Sequence, residues 1–180
     1  MRVIAGSHGG RRLKAPNGRG TRPTSERVRE ALFSMLGELS GERVLDLFAG
    51  TGALGIEALS RGAGTVLFVE RDADAARVLS ENLSSLGIDP RAARLLRADA
   101  LEVLRSAQQR QETYDLIFID PPYSQTREWG SELSAILPGL LEPQGRIVVE
   151  SDRRAPLELD LPVSRERRYG DTSITIHTST

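Results

Sequence analysis

Short apolar runs alternate along this chain with longer stretches in which apolar positions recur every three or four residues. Val28, Leu32, Met35 and Leu36 form one such stripe; Thr24 or Ser25 stands where a helix cap is needed, and Gly37 or Gly41 ends the segment. Compact apolar runs follow at Val44 to Phe48, Thr65 to Val69, Ala93 to Arg97, Asp115 to Ile119 and Arg146 to Glu150, and they read as buried strands. Between them lie helical stretches through Ile56 and Leu59, from Ala73 to Leu86 before Gly87, from Leu101 to Gln108, and near Leu133 to Leu141. Repeated strand and helix units whose strands are apolar on both faces predict an α/β fold, a mostly parallel sheet covered by helices on both faces. The tail changes character. Arg165, Arg167 and Tyr169, then Ser173 to His177, alternate around Gly170-Asp171, as a final β-hairpin would. At the other end, the Gly-, Arg- and Pro-rich first 23 residues argue against a regular helix and leave an arm with room for one short strand.

Composition narrows this picture. With 180 residues, 39% of them hydrophobic, and no run of 18 uninterrupted apolar residues, the chain fits one globular domain with a single sizeable core and no membrane span. The first residues, Met1 to Gly6, lack the apolar centre of a signal peptide, and cysteine is absent, which excludes a disulfide framework or a Cys-based zinc site. A cytoplasmic protein without a metal is the expectation, His8 and His177 being isolated from each other in sequence. The net charge of -1 is unevenly spread, because residues 1–30 hold eight Lys/Arg against Glu26 and Glu30. This divides the chain into a basic arm, 1–23, and a body, 24–180. A basic stretch by itself is equally a solvated face. Beside a site that modifies nucleic acid, Arg2, Arg11, Arg12, Lys14, Arg19 and Arg22 become phosphate-contacting residues.

Candidate chemistry begins at Asp46-Leu47-Phe48-Ala49-Gly50-Thr51-Gly52-Ala53-Leu54-Gly55, which closes the first strand and opens the next helix. Gly50 and Gly52 permit the tight turn and close approach of a ligand, and Gly55 permits close packing of helix on strand. The same spacing serves nicotinamide and flavin cofactors. Asp46 discriminates: a carboxylate at the strand's carboxyl end suits the ammonium of an amino-acid-bearing cofactor and repels a pyrophosphate. Glu70, after the second strand, can accept from both ribose hydroxyls of adenosine in either cofactor. Asp99 can accept from an adenine amine while Ala100 offers its backbone amide to a ring nitrogen; Asp99 is equally placed as the N-cap of the helix that follows. Phe48, Thr51 and Arg71 lie on the same turns and join the cofactor-binding set. All these residues sit at carboxyl ends of strands, where open α/β sheets bind ligands.

The fourth strand ends in Asp120-Pro121-Pro122-Tyr123. Two successive prolines stiffen the loop and leave its carbonyls without competing local donors. An exocyclic amine on a nucleic-acid base is a poor nucleophile, since its lone pair is delocalised into the ring. The Asp120 carboxylate and the Pro121 carbonyl, aimed at its two hydrogens, would favour a pyramidal nitrogen, with Pro122 stiffening the loop. Tyr123 would stack on a base that is unpaired or flipped out. The methylated amine loses its proton to Asp120 or water, so no histidine base is required. The alternative is a Pro-Pro turn carrying a buried tyrosine.

With both motifs placed, the chain resembles the class I S-adenosyl-L-methionine (SAM)-dependent amino-methyltransferases with an [DNS]-P-P-[YFW] motif. Over nearly its whole length it is similar to the RsmD family of bacterial 16S rRNA (guanine-N2)-methyltransferases. The match is carried by Arg2-Val3-Ile4-Ala5-Gly6 with Gly10-Arg11-Arg12-Leu13, by Arg22-Pro23-Thr24 with Arg27 to Phe33, by the glycine loop with Glu57 to Ala63, and by Tyr169-Gly170-Asp171-Thr172. The resemblance implies a Rossmann-like, seven-stranded sheet with an antiparallel last strand, SAM as cofactor, and 16S rRNA in an assembled or partly assembled small ribosomal subunit as substrate. It also implies an RNA-contacting arm, and Thr24 and Arg27 near the methionine end of the cofactor. A monomer is the expectation for the protein. Three other readings stand beside it. One is DNA adenine-N6 or cytosine-N4 methylation, for whose target-recognition region 180 residues leave little room. The others are a nicotinamide-dependent oxidoreductase, which gives the Asp120 tetrapeptide nothing to do, and a non-catalytic RNA-binding module.

Overall fold

The computed structural model describes residues 1–15, 25–121 and 126–178, without the side chains of 126–128. Helix α1 (Glu26–Leu36) starts at Ser25, whose hydroxyl accepts from the Val28 amide at 3.3 Å, and stops at Gly37, where φ is +77°. Four strand and helix pairs follow: β1 (Arg43–Leu47) and α2 (Ala53–Ser60), β2 (Thr65–Val69) and α3 (Ala73–Leu86), β3 (Ala93–Leu96) and α4 (Ala100–Gln109), β4 (Tyr114–Ile119) and α5 (Thr126–Ile136). A 3₁₀ turn (Leu137–Leu140) leads into β5 (Leu141–Asp152), and β6 (Val163–Tyr169) and β7 (Thr172–Thr178) close the chain as a hairpin. The seven strands form one sheet in the order β3-β2-β1-β4-β5-β7-β6; β3 to β5 run parallel, and β7 joins β5 and β6 antiparallel. The expected mostly parallel, seven-stranded sheet with an antiparallel last strand and helices on both faces is what the chain forms.

One element departs from the expected boundaries. The helix expected near Leu133 to Leu141 begins at Thr126 and ends at Ile136. Pro138 has no N–H to donate to the carbonyl four residues back, so the chain tightens into the 3₁₀ turn, and Leu141 pairs with Tyr114 as the start of a longer β5.

Strand alternation divides the interior into two layers. Val44, Phe68, Leu116, Phe118, Val148 and Ile174 pack under α1, α2 and α3, while Leu45, Leu47, Ile117, Ile119 and Val149 pack under α4 and α5. Successive side chains point to opposite faces, so Asp46, Glu70, Asp120 and Glu150 all emerge toward the α1–α3 layer at the carboxyl ends of β1, β2, β4 and β5, respectively.

The described part of the arm shares this core. Residues 1–13 double back, with Val3 donating to the Arg11 carbonyl, Leu13 to the Met1 carbonyl, and an antiparallel bridge between Arg2 and Arg12. Val3 and Leu13 are buried. Glu57, fully buried on α2, accepts from the Ile4 and Ala5 amides at 2.7 and 3.1 Å and from Arg61 Nε at 2.7 Å. Gly6, at φ +82°, lies so close to α2 that a Cβ would stand 1.7 Å from the Ser60 carbonyl oxygen, a position only glycine can occupy.

Candidate active site

The glycine loop is shaped by its own backbone. Phe48 leaves β1 with φ +60°, unusual for a bulky residue, and its ring stacks on Trp129 of α5 at 4.9 Å and 15°. Gly50 and Gly52 follow at φ +55° and +84°. Gly55 is held tightly, because a Cβ there would lie 2.3 Å from the Phe68 ring and 2.9 Å from Asp46 Oδ2.

The amides of this loop already have acceptors. Gly50 donates to Glu70 Oε2 at 2.8 Å, Gly52 to the Ala49 carbonyl at 2.7 Å, and Gly55 to Asp46 Oδ2 at 2.9 Å. A pyrophosphate site needs such amides pointing at its anion. Here carboxylates take two of them, a donor set that suits a cationic amino-acid moiety and a ribose diol. Glu70 also accepts from Asp72 N at 2.7 Å, and each of its oxygens keeps a second lone pair for a ligand hydroxyl. Asp99 Oδ1 caps α4, accepting from Leu101 and Glu102 at 2.9 and 3.3 Å, while Ala100 is buried in the first turn.

Electrostatics set this rim apart. Burial raises Asp46 to about 7, the Gly55 amide opposing the shift and the charge of Glu70 adding to it. Asp120, half-buried at the end of β4, is lifted well above the usual carboxylate range by loss of solvation first, then by the charges of Glu150 and Asp46. Arg29 of α1 is fully buried and donates to the Arg2 carbonyl. Its Nε and Nη1 have no acceptor among the described residues; loss of solvation lowers its pKa, opposed by Glu57, Glu26 and Glu150.

The fold thus brings Asp46, Phe48, Gly50, Thr51, Gly52, Glu70, Arg71, Asp99, Ala100, Asp120 and Pro121 to one rim of the sheet, with Arg71 exposed after Glu70. Arg27 is exposed on the first turn of α1. Arg2 pairs with Glu26 at 2.9 Å, Lys14 with Glu81 at 2.8 Å, and Arg11 donates to the Ser85 carbonyl at 2.9 Å; Arg12 is exposed. Arg19, Arg22, Thr24, Pro122 and Tyr123 lie outside the described residues. Sequence reasoning passed over Glu150, Trp129 and Asn82. Glu150 was readable as an acid ending a buried strand in the manner of Asp120, whereas Trp129 and Asn82 gain their neighbours only through the fold.

Comparison with known proteins fits this arrangement. Residues 1–178 match the family described as conserved hypothetical protein 95. The chain belongs to this family. It is the RsmD family that the sequence motifs resemble. A Bacillus subtilis protein named provisionally as an rRNA methyltransferase, YlbH, is 42% identical over 98% of each chain. Ribosomal RNA small subunit methyltransferase D of Haemophilus influenzae is 36% identical, over 87% of this chain and 81% of its own. A solved Escherichia coli structure titled provisionally as the methyltransferase yhhF superimposes with a TM-score of 0.82 at 32% identity, over 99% of this chain and 97% of that one. The fold of this RsmD-family chain is the Rossmann-like class I methyltransferase fold. Among the described residues no group of side chains could hold a metal ion, and no helix is long and apolar enough to cross a membrane.

Proposed function

We propose that the protein methylates the exocyclic N2 amine of a guanine in 16S rRNA, with SAM as cofactor and the small ribosomal subunit or an assembly intermediate as substrate. The observation that carries this reading is Asp120, which leads into Pro121 beside a rim whose loop amides are held by carboxylates rather than left for a phosphate. Asp46 meets the ammonium of the methionine moiety, Glu70 the ribose, and Asp99 with Ala100 the adenine; Phe48, Gly50, Thr51, Gly52 and Arg71 complete the pocket, with Thr24 and Arg27 toward the methionine end. When bound, SAM supplies a sulfonium-activated methyl group.

The chain's own residues present the nucleophile. The ionised Asp120 carboxylate and the Pro121 carbonyl accept the two amine hydrogens, holding the nitrogen lone pair toward the methyl, and Asp120 or water takes the proton released after transfer. Tyr123, on a loop stiffened by Pro122, stacks on the base. Arg2, Arg11, Arg12, Lys14, Arg19 and Arg22 of an N-terminal arm, residues 1–23, neutralise RNA phosphates, arginine through paired donors, while the methyltransferase unit proper spans 24–180. The protein acts as a monomer in the cytoplasm.

Substituting Asp120→Ala tests this directly. Methyl transfer to small subunits is expected to be lost while S-adenosylhomocysteine still binds with near-native affinity in calorimetry. Full transfer by the variant would remove Asp120 from the chemistry. Tight binding of NADH with none of S-adenosylhomocysteine would overturn the cofactor.

A further inference from the structure

Asn82 is fully buried on α3, and its side-chain amide spends its groups on two distant backbone segments. Its Oδ1 accepts from the Lys14 amide at 2.8 Å, and its Nδ2 donates to the Lys14 carbonyl at 3.2 Å and to the Thr51 carbonyl at 3.0 Å. One primary amide therefore reads both backbone groups of Lys14 and holds the middle of the glycine loop, between Gly50 and Gly52. The same stretch of α3 carries the arm's cations, with Lys14 on Glu81 and Arg11 on the Ser85 carbonyl. Both of these contacts are exposed and open to exchange for phosphate oxygens, whereas the Asn82 bonds are partly buried.

We propose that Asn82 is a positioning residue that couples the basic arm to the cofactor loop, so that RNA on the arm and cofactor in the loop strengthen each other's binding. The proposal rests on the RNA-methylation reading above. The physical basis is a shared anchor: whichever ligand first fixes Lys14 or Thr51 orders Asn82 and, through it, the other segment. The second ligand then meets a backbone already in place. Such coupling is reciprocal, the factor by which cofactor tightens RNA binding equalling the factor by which RNA tightens cofactor binding.

The test measures that factor both ways with S-adenosylhomocysteine and small subunits from a methylation-deficient strain. Subunit affinity is read by filter binding with and without saturating S-adenosylhomocysteine; affinity for labelled S-adenosylhomocysteine is read by equilibrium dialysis with and without saturating subunits. The wild-type protein is expected to show about fivefold mutual tightening or more. In Asn82→Asp, which keeps an acceptor for the Lys14 amide but loses the donor to Lys14 and Thr51, the factor falls toward one. If that variant does not fold, Asn82→Ser, which can bridge only one segment at a time, is expected to show a reduced factor. A wild-type factor of one, or an unchanged factor in a folded Asn82 variant, overturns the coupling while leaving the methyltransferase reading intact. Failure of the wild-type protein to bind S-adenosylhomocysteine or subunits at all would defeat that reading, and the coupling with it.

Discussion

Asp46 makes the cofactor assignment testable by titration. An ammonium seated against this carboxylate requires it ionised, yet burial raises Asp46 to about 7, so at mildly acidic pH the unliganded protein holds a proton there that the ligand must expel. Affinity therefore rises with pH and levels off above about 7. If the complex holds Asp46 fully ionised, lowering pH from about 7.5 to about 5.5 weakens binding about twenty-fivefold, close to 2 kcal/mol at about 1.4 kcal/mol per pH unit. S-adenosylhomocysteine is the right probe because its sulfur is uncharged and the amino group alone meets the carboxylate. Calorimetry in buffers of different ionisation enthalpy should record release of nearly one proton on binding at about pH 6. In Asp46→Asn the size of the side chain is kept and the charge is lost; binding is expected to be weaker, nearly flat with pH, and free of proton release. Wild-type affinity independent of pH over this range, or the same slope in Asp46→Asn, would refute the assignment. Without ligand the sign reverses: the folded state holds this proton more tightly than the unfolded chain, so Asp46 opposes folding as pH rises from about 4 to about 7.

The remaining predictions test other parts of the site and its support. Asp120 accepts most strongly, and can take up the released proton, only when ionised, so kcat should rise with pH, and Glu150→Gln, by removing a charge that raises Asp120, should move that rise to lower pH; an unmoved profile would show that Glu150 does not act on Asp120. Gly55→Ala forces a methyl group against the Phe68 ring and Asp46, and urea unfolding should show a loss of about 1–3 kcal/mol. Glu57→Ala strips acceptors from the Ile4 and Ala5 amides and from Arg61, a loss of about 3 kcal/mol or more, with amide exchange at residues 4 and 5 the most accelerated. Replacing Arg11 and Arg12 by Ala should weaken subunit binding and flatten its salt dependence by about two ions; an unchanged slope would take both residues out of the RNA contact.

Much of the rim was legible because parallel strands announce themselves as short apolar runs. An acid near the carboxyl end of such a run, as Asp46 is, or directly after it, as Glu70 and Asp120 are, stands where an open sheet binds ligands. Asp99 carried two readings, and the structure shows its cap bonds to α4 directly. What stayed hidden depends on contacts distant in sequence. Asn82 and Glu57 look like ordinary polar positions on amphipathic helices until the chain brings Lys14, Thr51, Ile4 and Ala5 to them, 31 to 68 residues away. The start of α5 was missed because its first turn, Thr126-Arg127-Glu128, carries no apolar period, and its end was placed at Leu141, past Pro138, because the apolar period runs on through Leu137, Leu140 and Leu141 while the chain tightens into a 3₁₀ turn.

The central claim concerns which atom receives the methyl group. Small subunits from a strain lacking the modification, incubated with the protein and labelled SAM, should yield 16S rRNA whose nucleoside digest contains labelled N2-methylguanosine by mass spectrometry, at one site and only with Asp120 intact. Label on N6-methyladenosine or N4-methylcytosine, or transfer to DNA in preference to the subunit, would contradict it.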